Sequence, residues 1–475
     1  MLEPQTVLTT VDRFIDDSDN IYDLYIFLYN FLIEHQQKII DLVKKDIDLF
    51  IKLNKLIEEM LSSINRELRE IDKKVIKETY ALTESNLILS YALFLSIDLV
   101  FGENSYLYNG DYYDLFDDVE EVKYLNTHKT IKLGKVFLRN KSFLENMYHS
   151  EMFRMNEDIE DTIKSYKNNL IIFVDEKDYI INLISIRSTY ITNKFKKNNN
   201  NIKIALVPVT NDKNYIKEKE DGNFFYIEGI SNESIYKTKI LNVLKDLETK
   251  DVDIVIFPEI TFTEDILMEV RGYLNKNKGK FSLLISGSIW KDCANKCYII
   301  SGDGTIICHQ DKLNPFRKTR DIFQKGNNEG IIVSEKNRII NIIDIENLGR
   351  ISTPICSDFL TNNYNDILLN MGVNLCFVPA YTSSLEAFNT RASNFALNNG
   401  GSTFVCNCCA PVVNKINSGE STFKVSYCFV PIKQRKGKNW LESCKLPLNE
   451  CRNKNNCYFL VVFSKEYCEF HGIQV

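Results

Sequence analysis

The spacing of apolar residues divides the chain into two regions. Before about residue 166, apolar positions recur at steps of three and four, as in IIDLVKKDIDLFIKLNKLIEEMLSSI at residues 39–64, which is typical of amphipathic helices. After residue 201, short runs of Val, Ile, Leu and Phe alternate with helix-like segments, as expected when helices cover a sheet buried on both faces. We predict an all-α domain of unknown role over residues 1–197 and an α/β domain over residues 201–475, with KKNNNN at 196–201 as the linker.

Individual segments of the α/β region predict particular elements. Strand-like runs include IKIALVPV, VDIVIFPE, FSLLISGSIW, IINIIDIE, VNLCFVPA, TFVCNCCAPVV and CYFLVVF, and helix-like segments include SIYKTKILNVLKDLE, TEDILMEVRGYLNKN and SLEAFNTRASNFALNNG. Upstream, NNLIIFVDEKDYIINLISI at residues 168–186 fits either a strand followed by a helix or one buried helix. The tyrosine-rich stretch GENSYLYNGDYYDLFDD at residues 102–118 predicts an acidic loop.

The sequence favours a protein with reduced cysteines and without a membrane span. The most apolar run, residues 86–101, carries Asp98 and falls short of the roughly 20 apolar residues that a membrane span needs, so it predicts a buried helix. The first residues lack the basic and apolar order of a signal peptide. All 13 cysteines follow Trp290, and an odd number without a signal peptide favours free thiols. We expect a cytoplasmic protein, and the net charge of -6 disfavours nucleic acid as a partner.

Two strand ends carry charged residues suited to catalysis. The run DIVIFPE places Glu259 directly after an apolar strand, where partial burial would raise its pKa and make it a general base. The run NKCYIISGDGTIICHQDKLNPF predicts a hairpin turning at Gly302, Asp303 and Gly304. Lys312 follows that hairpin, where its ammonium group would stabilise an oxyanion. Each residue taken alone is more typical of a solvated surface charge than of a catalytic group.

A third strand end carries a thiol. In RISTPICSDF a strand runs into Cys356, and the next residues open a loop or helix. A cysteine at such a bend is a candidate nucleophile, and the backbone N–H of Ser357 is a candidate donor to an oxyanion. The alternative is a buried structural cysteine, the usual state of a free thiol in a reduced protein.

The order and spacing of these residues resemble the nitrilase superfamily of carbon–nitrogen hydrolases, whose strands end in a Glu, a Lys and a Cys. The matching segments are FPE at Glu259, the GDGTI hairpin before Lys312 and ICSD at Cys356. Flanking matches are IKIALVPV, Asn295 at the start of the hairpin, VNLCFVPA, and RASNFALNNGGSTFVCNC with Arg391, Asn394 and Asn407. The resemblance spans roughly residues 202–413 and is absent from the first 200.

The resemblance implies a four-layer α-β-β-α sandwich and a thioester mechanism that needs no metal or organic cofactor. Cys356 would attack an amide, carbamoyl compound or nitrile, with Glu259 as base and Lys312 holding the oxyanion. The family's second glutamate after the lysine is expected near Asp321, one methylene shorter, with Glu329 further on. The cations Arg317, Lys318 and Arg320 nearby would meet an acidic substrate or form a solvated loop. Pairing of family members across an α face implies a homo-oligomer.

Two other interpretations stay open at this point, and a third is disfavoured. The altered second carboxylate is compatible with a catalytically silent nitrilase-like platform, and a role in bacterial phage defence follows only by analogy. The helical domain would cover the site, mediate assembly or bind a protein partner. A zinc site is disfavoured, because Cys406 and Cys409 have the only C-x-x-C spacing among the C-terminal cysteines and no second such pair follows.

Overall fold

The computed structural model describes most of the chain. The described residues are 4–64, 68–81, 86–103, 135–138, 170–173, 179–186, 191, 195, 202–210, 212, 214–318, 327–333, 338–345, 348–399, 401–415, 423–432, 435–444, 457–463 and 468–474. The predicted acidic loop and the KKNNNN linker lie outside these ranges, apart from the first two residues of the loop.

In the described part of the N-terminal region, six helices pack around their own apolar core. They are α1 (Pro4–Asp17), α2 (Ile21–Glu34), α3 (Gln36–Lys45), α4 (Ile47–Leu61), α5 (Glu70–Ala81) and α6 (Asn86–Glu103). The predicted period is confirmed in α4, where Leu53, Ile57 and Leu61 are buried at four-residue steps. Asp46 caps this helix by accepting a hydrogen bond from the backbone N–H of Leu49 at 3.1 Å.

Helix α6 is the buried helix that its composition predicts. Its side chains pack in the core of the helical region, and the Tyr25 hydroxyl donates a 3.0 Å hydrogen bond to the Asp98 carboxylate. This hydroxyl meets part of the hydrogen-bonding need of an acid with only 2% of its surface exposed. In the part of the chain that the structure describes, no helix is long and apolar enough to cross a membrane.

The prediction of an all-α segment up to residue 197 is wrong in two places. Strands β1 (Lys135–Leu138) and β2 (Leu170–Phe173) form an antiparallel pair. Strand β3 (Ile180–Ile186) pairs in parallel with Ile339–Ile345 of the α/β region. Neither interpretation of residues 168–186 included a second strand, and the α/β region therefore begins before the predicted linker. This pairing joins residues about 160 positions apart, so local periodicity carries no sign of it.

Two large sheets form the centre of the α/β region. The eight-stranded sheet runs in the order β11 (Ile306–Asp311), β10 (Ala294–Ser301), β8 (Leu283–Ile285), β7 (Ile254–Ile256), β4 (Ile202–Leu206), β20 (Tyr458–Phe463), β21 (Cys468–Gln474), with β9 (Ile289–Lys291) paired to β10. The seven-stranded sheet runs β19 (Arg435–Cys444), β18 (Phe423–Ile432), β17 (Ser402–Asn407), β16 (Leu375–Ala380), β15 (Gly349–Ser352), β14 (Ile339–Ile345), β3.

Alternation along the strands places helices outside the sheets. In β7, Ile254 and Ile256 pack in the core shared with the seven-stranded sheet, whereas Val255 packs with the helices of the opposite face. The outer helices are α7 (Glu233–Thr249) and α8 (Glu264–Lys276) on one side and α9 (Asn362–Asn370) and α10 (Glu386–Asn399) on the other. The described residues thus form the predicted α-β-β-α layers. Helix α11 (Cys409–Lys415) corrects TFVCNCCAPVV, whose second half was expected to be strand.

A four-stranded sheet lies beside this sandwich and was not predicted. Its order is β12 (Arg317–Lys318), β13 (Asn327–Glu329), β6 (Phe224–Ile230), β5 (Ile216–Asp221). Strands β5 and β6 form a hairpin that turns at Gly222, where φ is 59°. We call this the accessory sheet. It matters for function because β13 contributes Glu329 to the site described next.

Candidate active site

Glu259 leaves the end of strand β7 through a tight backbone turn. Pro258 has no N–H to continue the strand ladder, and its carbonyl accepts a hydrogen bond from the Thr261 hydroxyl at 2.6 Å. A Cβ at Gly287 would lie 1.7 Å from the Thr261 Oγ1 and 2.7 Å from the Pro258 carbonyl oxygen, so the connection between β8 and β9 approaches this turn closely only because residue 287 is glycine. The result is a carboxylate with 2% of its surface exposed.

Lys312 follows the predicted hairpin, which the structure confirms. Strands β10 and β11 pair in antiparallel fashion on either side of Gly304, whose φ is 87°. The backbone N–H of Lys312 donates to the Asn295 carbonyl at 2.8 Å, which anchors the lysine to the first strand of the same hairpin. The Asn295 side chain in turn donates to Glu259 Oε1 at 2.9 Å.

The Lys312 ammonium lies between two buried carboxylates. Its Nζ is 2.6 Å from Glu259 Oε1 and 2.7 Å from Glu329 Oε2, and all three side chains are 2% exposed. Buried charges need such compensation, because burying an ion alone is costly. Burial by itself lowers the pKa of Lys312, but the two carboxylates outweigh burial and raise it well above its ordinary value, so the lysine stays charged.

Glu329 supplies a second carboxylate beside Lys312. Its Oε2 also accepts a 2.7 Å hydrogen bond from the Phe316 N–H, and its backbone is paired in the accessory sheet. Asp321 itself lies outside the described residues. In the sequence, Glu329 lies further from Lys312 than the expected position of a second carboxylate. The available signal was that NNEG could form a strand beside FFYIEGI, but neither segment was predicted to be a strand.

Cys356 stands at a strained bend, as its position after a strand predicts. It begins the short 3₁₀ helix Cys356–Leu360 with φ of 47°, a conformation that costs a non-glycine residue energy and is found preferentially at functional sites. The thiol is 4% exposed and hydrogen-bonds to the Glu259 carboxylate, while the backbone N–H of Tyr381 donates to its sulfur. The structure therefore brings Glu259, Lys312 and Cys356 together.

The electrostatics of the site favour a neutral thiol beside a strengthened base. Burial raises the pKa of Glu259, and the neighbouring Glu329 raises it further, against the opposing effect of Lys312. Burial and the Glu259 carboxylate also hold the pKa of Cys356 well above its usual value, while Lys312 and the Tyr381 N–H act in the opposite direction. A proton held on sulfur next to a basic carboxylate is the arrangement that general-base activation requires.

Asp358 links the nucleophile bend to the segment that carries the lysine. Its carboxylate accepts hydrogen bonds from the backbone N–H groups of Leu313 and Asn314 at 3.1 and 2.7 Å and from the Asn314 side chain at 2.9 Å. Burial raises the pKa of Asp358 to about 7, and the Asn314 donors lower it. Its place in the ICSD segment alone predicted no role for it. It fixes the distance between the two catalytic candidates, Cys356 and Lys312.

Residues around the nucleophile brace the backbone. The Ser357 hydroxyl donates to the Asn314 carbonyl at 2.6 Å. The Asn407 side chain clamps the turn after Tyr381 by accepting from the Thr382 N–H and donating to its carbonyl, both at 2.9 Å. Arg391 donates to the Leu360 carbonyl at 2.9 Å, whereas Asn394 is exposed on α10.

The cysteines do not gather into a metal site among the described residues. No group of three or more His, Cys, Asp or Glu side chains there is arranged to hold a metal ion. Cys406 lies in β17 with its thiol 3.2 Å from the Ile256 carbonyl, and Cys409 begins α11. The ten cysteines whose side chains the structure describes are all free thiols.

At the sequence level, no family model and no curated protein matches the chain. In structure, about half of the chain aligns with nitrilase-superfamily proteins. Saccharomyces cerevisiae Nit3 aligns at 14% identity over 56% of this chain and 90% of its own, with a TM-score of 0.36. An amidase from Nesterenkonia sp. aligns at 12% identity over 56% and 91%, with a TM-score of 0.33.

The C. elegans NitFhit protein aligns at 18% identity over 44% of this chain, with a TM-score of 0.34. This chain spans about half of that protein's length, 52%. Identities and TM-scores this low support no transfer of activity, so the roles of the site residues rest on their contacts.

Proposed function

We propose that the chain hydrolyses a non-peptide carbon–nitrogen bond through a thioester on Cys356. One observation carries the proposal: a thiol, a carboxylate and an ammonium group from three separate strand ends meet in one buried cluster. The Glu259 carboxylate contacts both others, at 2.6 Å from the Lys312 ammonium and by a hydrogen bond to the Cys356 thiol. Nothing in core packing requires three ionisable groups to converge in this way.

Acylation begins with transfer of the thiol proton to Glu259. The sulfur then bonds to the carbonyl carbon of an amide, and the carbonyl π electrons move to oxygen. The Lys312 ammonium and the backbone N–H of Ser357 stabilise this oxyanion. Because two carboxylates keep Lys312 charged, its stabilising charge is in place before the reaction starts. Glu259 returns its proton to the nitrogen, the carbon–nitrogen bond breaks, and ammonia or an amine departs.

Deacylation uses the same base. Glu259 takes a proton from water, and the resulting hydroxide attacks the thioester carbon. The carbon–sulfur bond breaks, the sulfur regains the proton from Glu259, and a carboxylic acid leaves. The balance is one amide and one water to one acid and one amine, without any oxidant, reductant or nucleotide.

Glu329 acts as the second carboxylate of the site in this proposal, in place of Asp321. Its contact with Lys312 and its hydrogen bond from the Phe316 N–H fix the ammonium in position. Its negative charge also raises the pKa of Glu259 and so strengthens the base. The presence of this carboxylate removes the main reason for favouring a catalytically silent platform. Assembly into a homo-oligomer and a protein partner for the helices remain part of the proposal.

The test is release of ammonia from a panel of primary amides, carbamoyl compounds and nitriles, measured for wild type and two cysteine variants. Cys356→Ala should abolish release. Cys308→Ala is the matched control, because its thiol lies half-buried on β11 outside the cluster, and it should keep wild-type rates. Hydrolysis that persists in Cys356→Ala, or a wild type inactive towards every amide, carbamoyl compound and nitrile tried, would return the platform interpretation to first place.

A further inference from the structure

Several residues of the site have an apolar neighbour that belongs to one cluster. Phe225, Ile227 and Ile260 form a small buried group, against which Trp290 and Tyr381 pack. This group is separate from the main core of the sandwich. We call these five residues the apolar wall.

Strand registers place the wall beside the reacting groups. Phe225 is paired directly with Glu329 across the accessory sheet, and Trp290 is paired with Asn295 across β9 and β10. Directly paired residues project from the same face of a sheet. Phe225 and Trp290 therefore lie on the faces from which Glu329 and Asn295 reach the cluster.

The remaining wall residues adjoin the base and the nucleophile. Ile260 follows Glu259 in the chain with φ of 59°, a strained conformation for a β-branched side chain. Tyr381 donates its backbone N–H to the sulfur of Cys356. The wall therefore adjoins the base at Ile260 and the nucleophile at Tyr381.

Alternation along β6 shows which face the accessory sheet turns towards the site. Phe225 and Ile227 are 5% and 6% exposed. Phe224, one residue nearer the turn, is 44% exposed, and Glu228 is also exposed. The apolar face of this hairpin therefore covers the site, and its polar face meets solvent.

The charges of the cluster disfavour a charged substrate. Two carboxylates, Glu259 and Glu329, face one ammonium group, so a substrate carboxylate would enter a site with excess negative charge. Arg317 is paired with Asn328 and so lies on the face opposite to Glu329, which separates it from the cluster. A substrate ammonium would find both carboxylates already engaged by Lys312 and would lose its hydration against the wall.

We propose that the substrate is a neutral amide with an apolar acyl chain, held by the apolar wall of the accessory sheet. This inference rests on the proposed thioester chemistry, because the wall is defined relative to Cys356 and Glu259. It narrows the substrate from any carbon–nitrogen compound to aliphatic or aryl carboxamides. Each methylene buried against the wall should increase kcat/KM about fourfold until the wall is filled.

Three amides of equal chain length test the inference, namely hexanamide, 6-aminohexanamide and the monoamide of adipic acid. They differ only in a neutral, cationic or anionic end, and acetamide serves as the short reference. We expect hexanamide to have a kcat/KM at least about tenfold above each of the other three. A preference for the cationic or anionic amide, or for acetamide, would overturn the inference while leaving the thioester chemistry intact.

Variants of one strand locate the effect. Phe225→Ala and Ile227→Ala should each lower the ratio of kcat/KM for hexanamide to kcat/KM for acetamide by about tenfold. Tyr226→Ala, from the opposite face of β6, should leave the ratio unchanged. Partial unfolding lowers both kcat/KM values equally and leaves their ratio unchanged, so an equal fall of the ratio for all three variants would contradict the assignment to the inner face of β6.

Protection of Cys356 from iodoacetamide by the same amides gives a readout that does not need turnover. If hexanamide protects but no amide is hydrolysed, the apolar site stands and the proposed function fails. If no amide is hydrolysed and none protects, both fail.

Discussion

The helical core and the active-site cluster both bury ionisable groups, but in opposite ways. In the helical region, Asp98 meets a neutral partner, the Tyr25 hydroxyl, at 3.0 Å. In the α/β region, Glu259 and Glu329 each lie within 2.7 Å of the Lys312 ammonium, next to a thiol. The first arrangement satisfies one polar group within an apolar core. The second concentrates charge in a place where packing alone would favour none.

The pKa shifts make the same distinction. Burial raises the pKa of Tyr25 well above its ordinary value, with Asp98 adding to the effect, so this hydroxyl keeps its proton at any physiological pH. In the cluster, burial raises the pKa of both Glu259 and Cys356. The carboxylate therefore becomes a stronger proton acceptor, and the thiol beside it keeps its proton. One buried pair holds a proton in place, and the other is arranged to move one.

The sharpest test of this difference is Glu259→Gln. Without the base, the thiol proton has no acceptor, and kcat should fall by about 10² to 10⁴-fold with little change in thermal stability. Steady-state ammonia release and a thermal melt measure the two effects. Glu264→Gln, five residues on and paired with Lys291 at the surface, is the control and should behave as wild type. Unchanged kcat in Glu259→Gln would remove the base from the mechanism.

The stability of Lys312→Met shows whether the buried cluster differs from an ordinary surface ion pair. Two buried carboxylates would lose their partner, and we expect a loss of about 3–5 kcal/mol in the free energy of unfolding, measured by urea denaturation. Lys237→Met removes a lysine that lies 2.7 Å from Asp265, in a pair whose side chains are both partly exposed. This variant should change the urea midpoint of unfolding little. Similar shifts for both variants would contradict the structural role assigned to Lys312.

Glu329→Gln tests the electrostatic coupling through the pH profile. Activity requires ionised Glu259, so the acid limb of kcat/KM lies at the pKa of Glu259 in the free enzyme. Glu329 raises that pKa. Removing its charge should therefore move the acid limb to lower pH, while kcat falls by about 10²-fold because the base is weaker and the ammonium is less well held. An acid limb that stays in place or moves to higher pH would show that Glu329 does not act on Glu259.

The smallest effect is expected in the helical region. Tyr25→Phe leaves Asp98 without its hydroxyl donor, which should cost about 1–3 kcal/mol in stability. The rate of amide hydrolysis should not change. Melting temperature and ammonia release measured on the same preparation check both statements, and a large loss of activity would mean that the helical core supports the site directly.

The strand ends that carry Glu259, Lys312 and Cys356 could be predicted because their signals are local. An apolar run that ends in proline, a glycine turn between two strands and a thiol after a strand are each contained within about ten residues. The convergence of the three was expected only from their resemblance to a known family. The contacts at 2.6 and 2.7 Å around Lys312 come from the fold.

The accessory sheet and strand β3 could not be placed in the same way. Strand β3 lies beside β14, which comes about 160 residues later, and no periodicity encodes such a partner. The hairpin of β5 and β6 did have a signal, the EDGN turn followed by alternation at Phe225 and Ile227. Its pairing with β13 helps to place Glu329 beside the lysine.

The central claim is a covalent acyl group on Cys356, and acid quenching during turnover tests it most directly. Wild-type protein mixed with a hydrolysed amide, quenched and measured by intact-protein mass spectrometry should gain the mass of one acyl group less one hydrogen. Peptide mapping should place this group on Cys356, hydroxylamine should remove it, and Cys356→Ala should lack it. Turnover without an adduct in the wild type, an adduct on another residue, or continued hydrolysis by Cys356→Ala would contradict the mechanism.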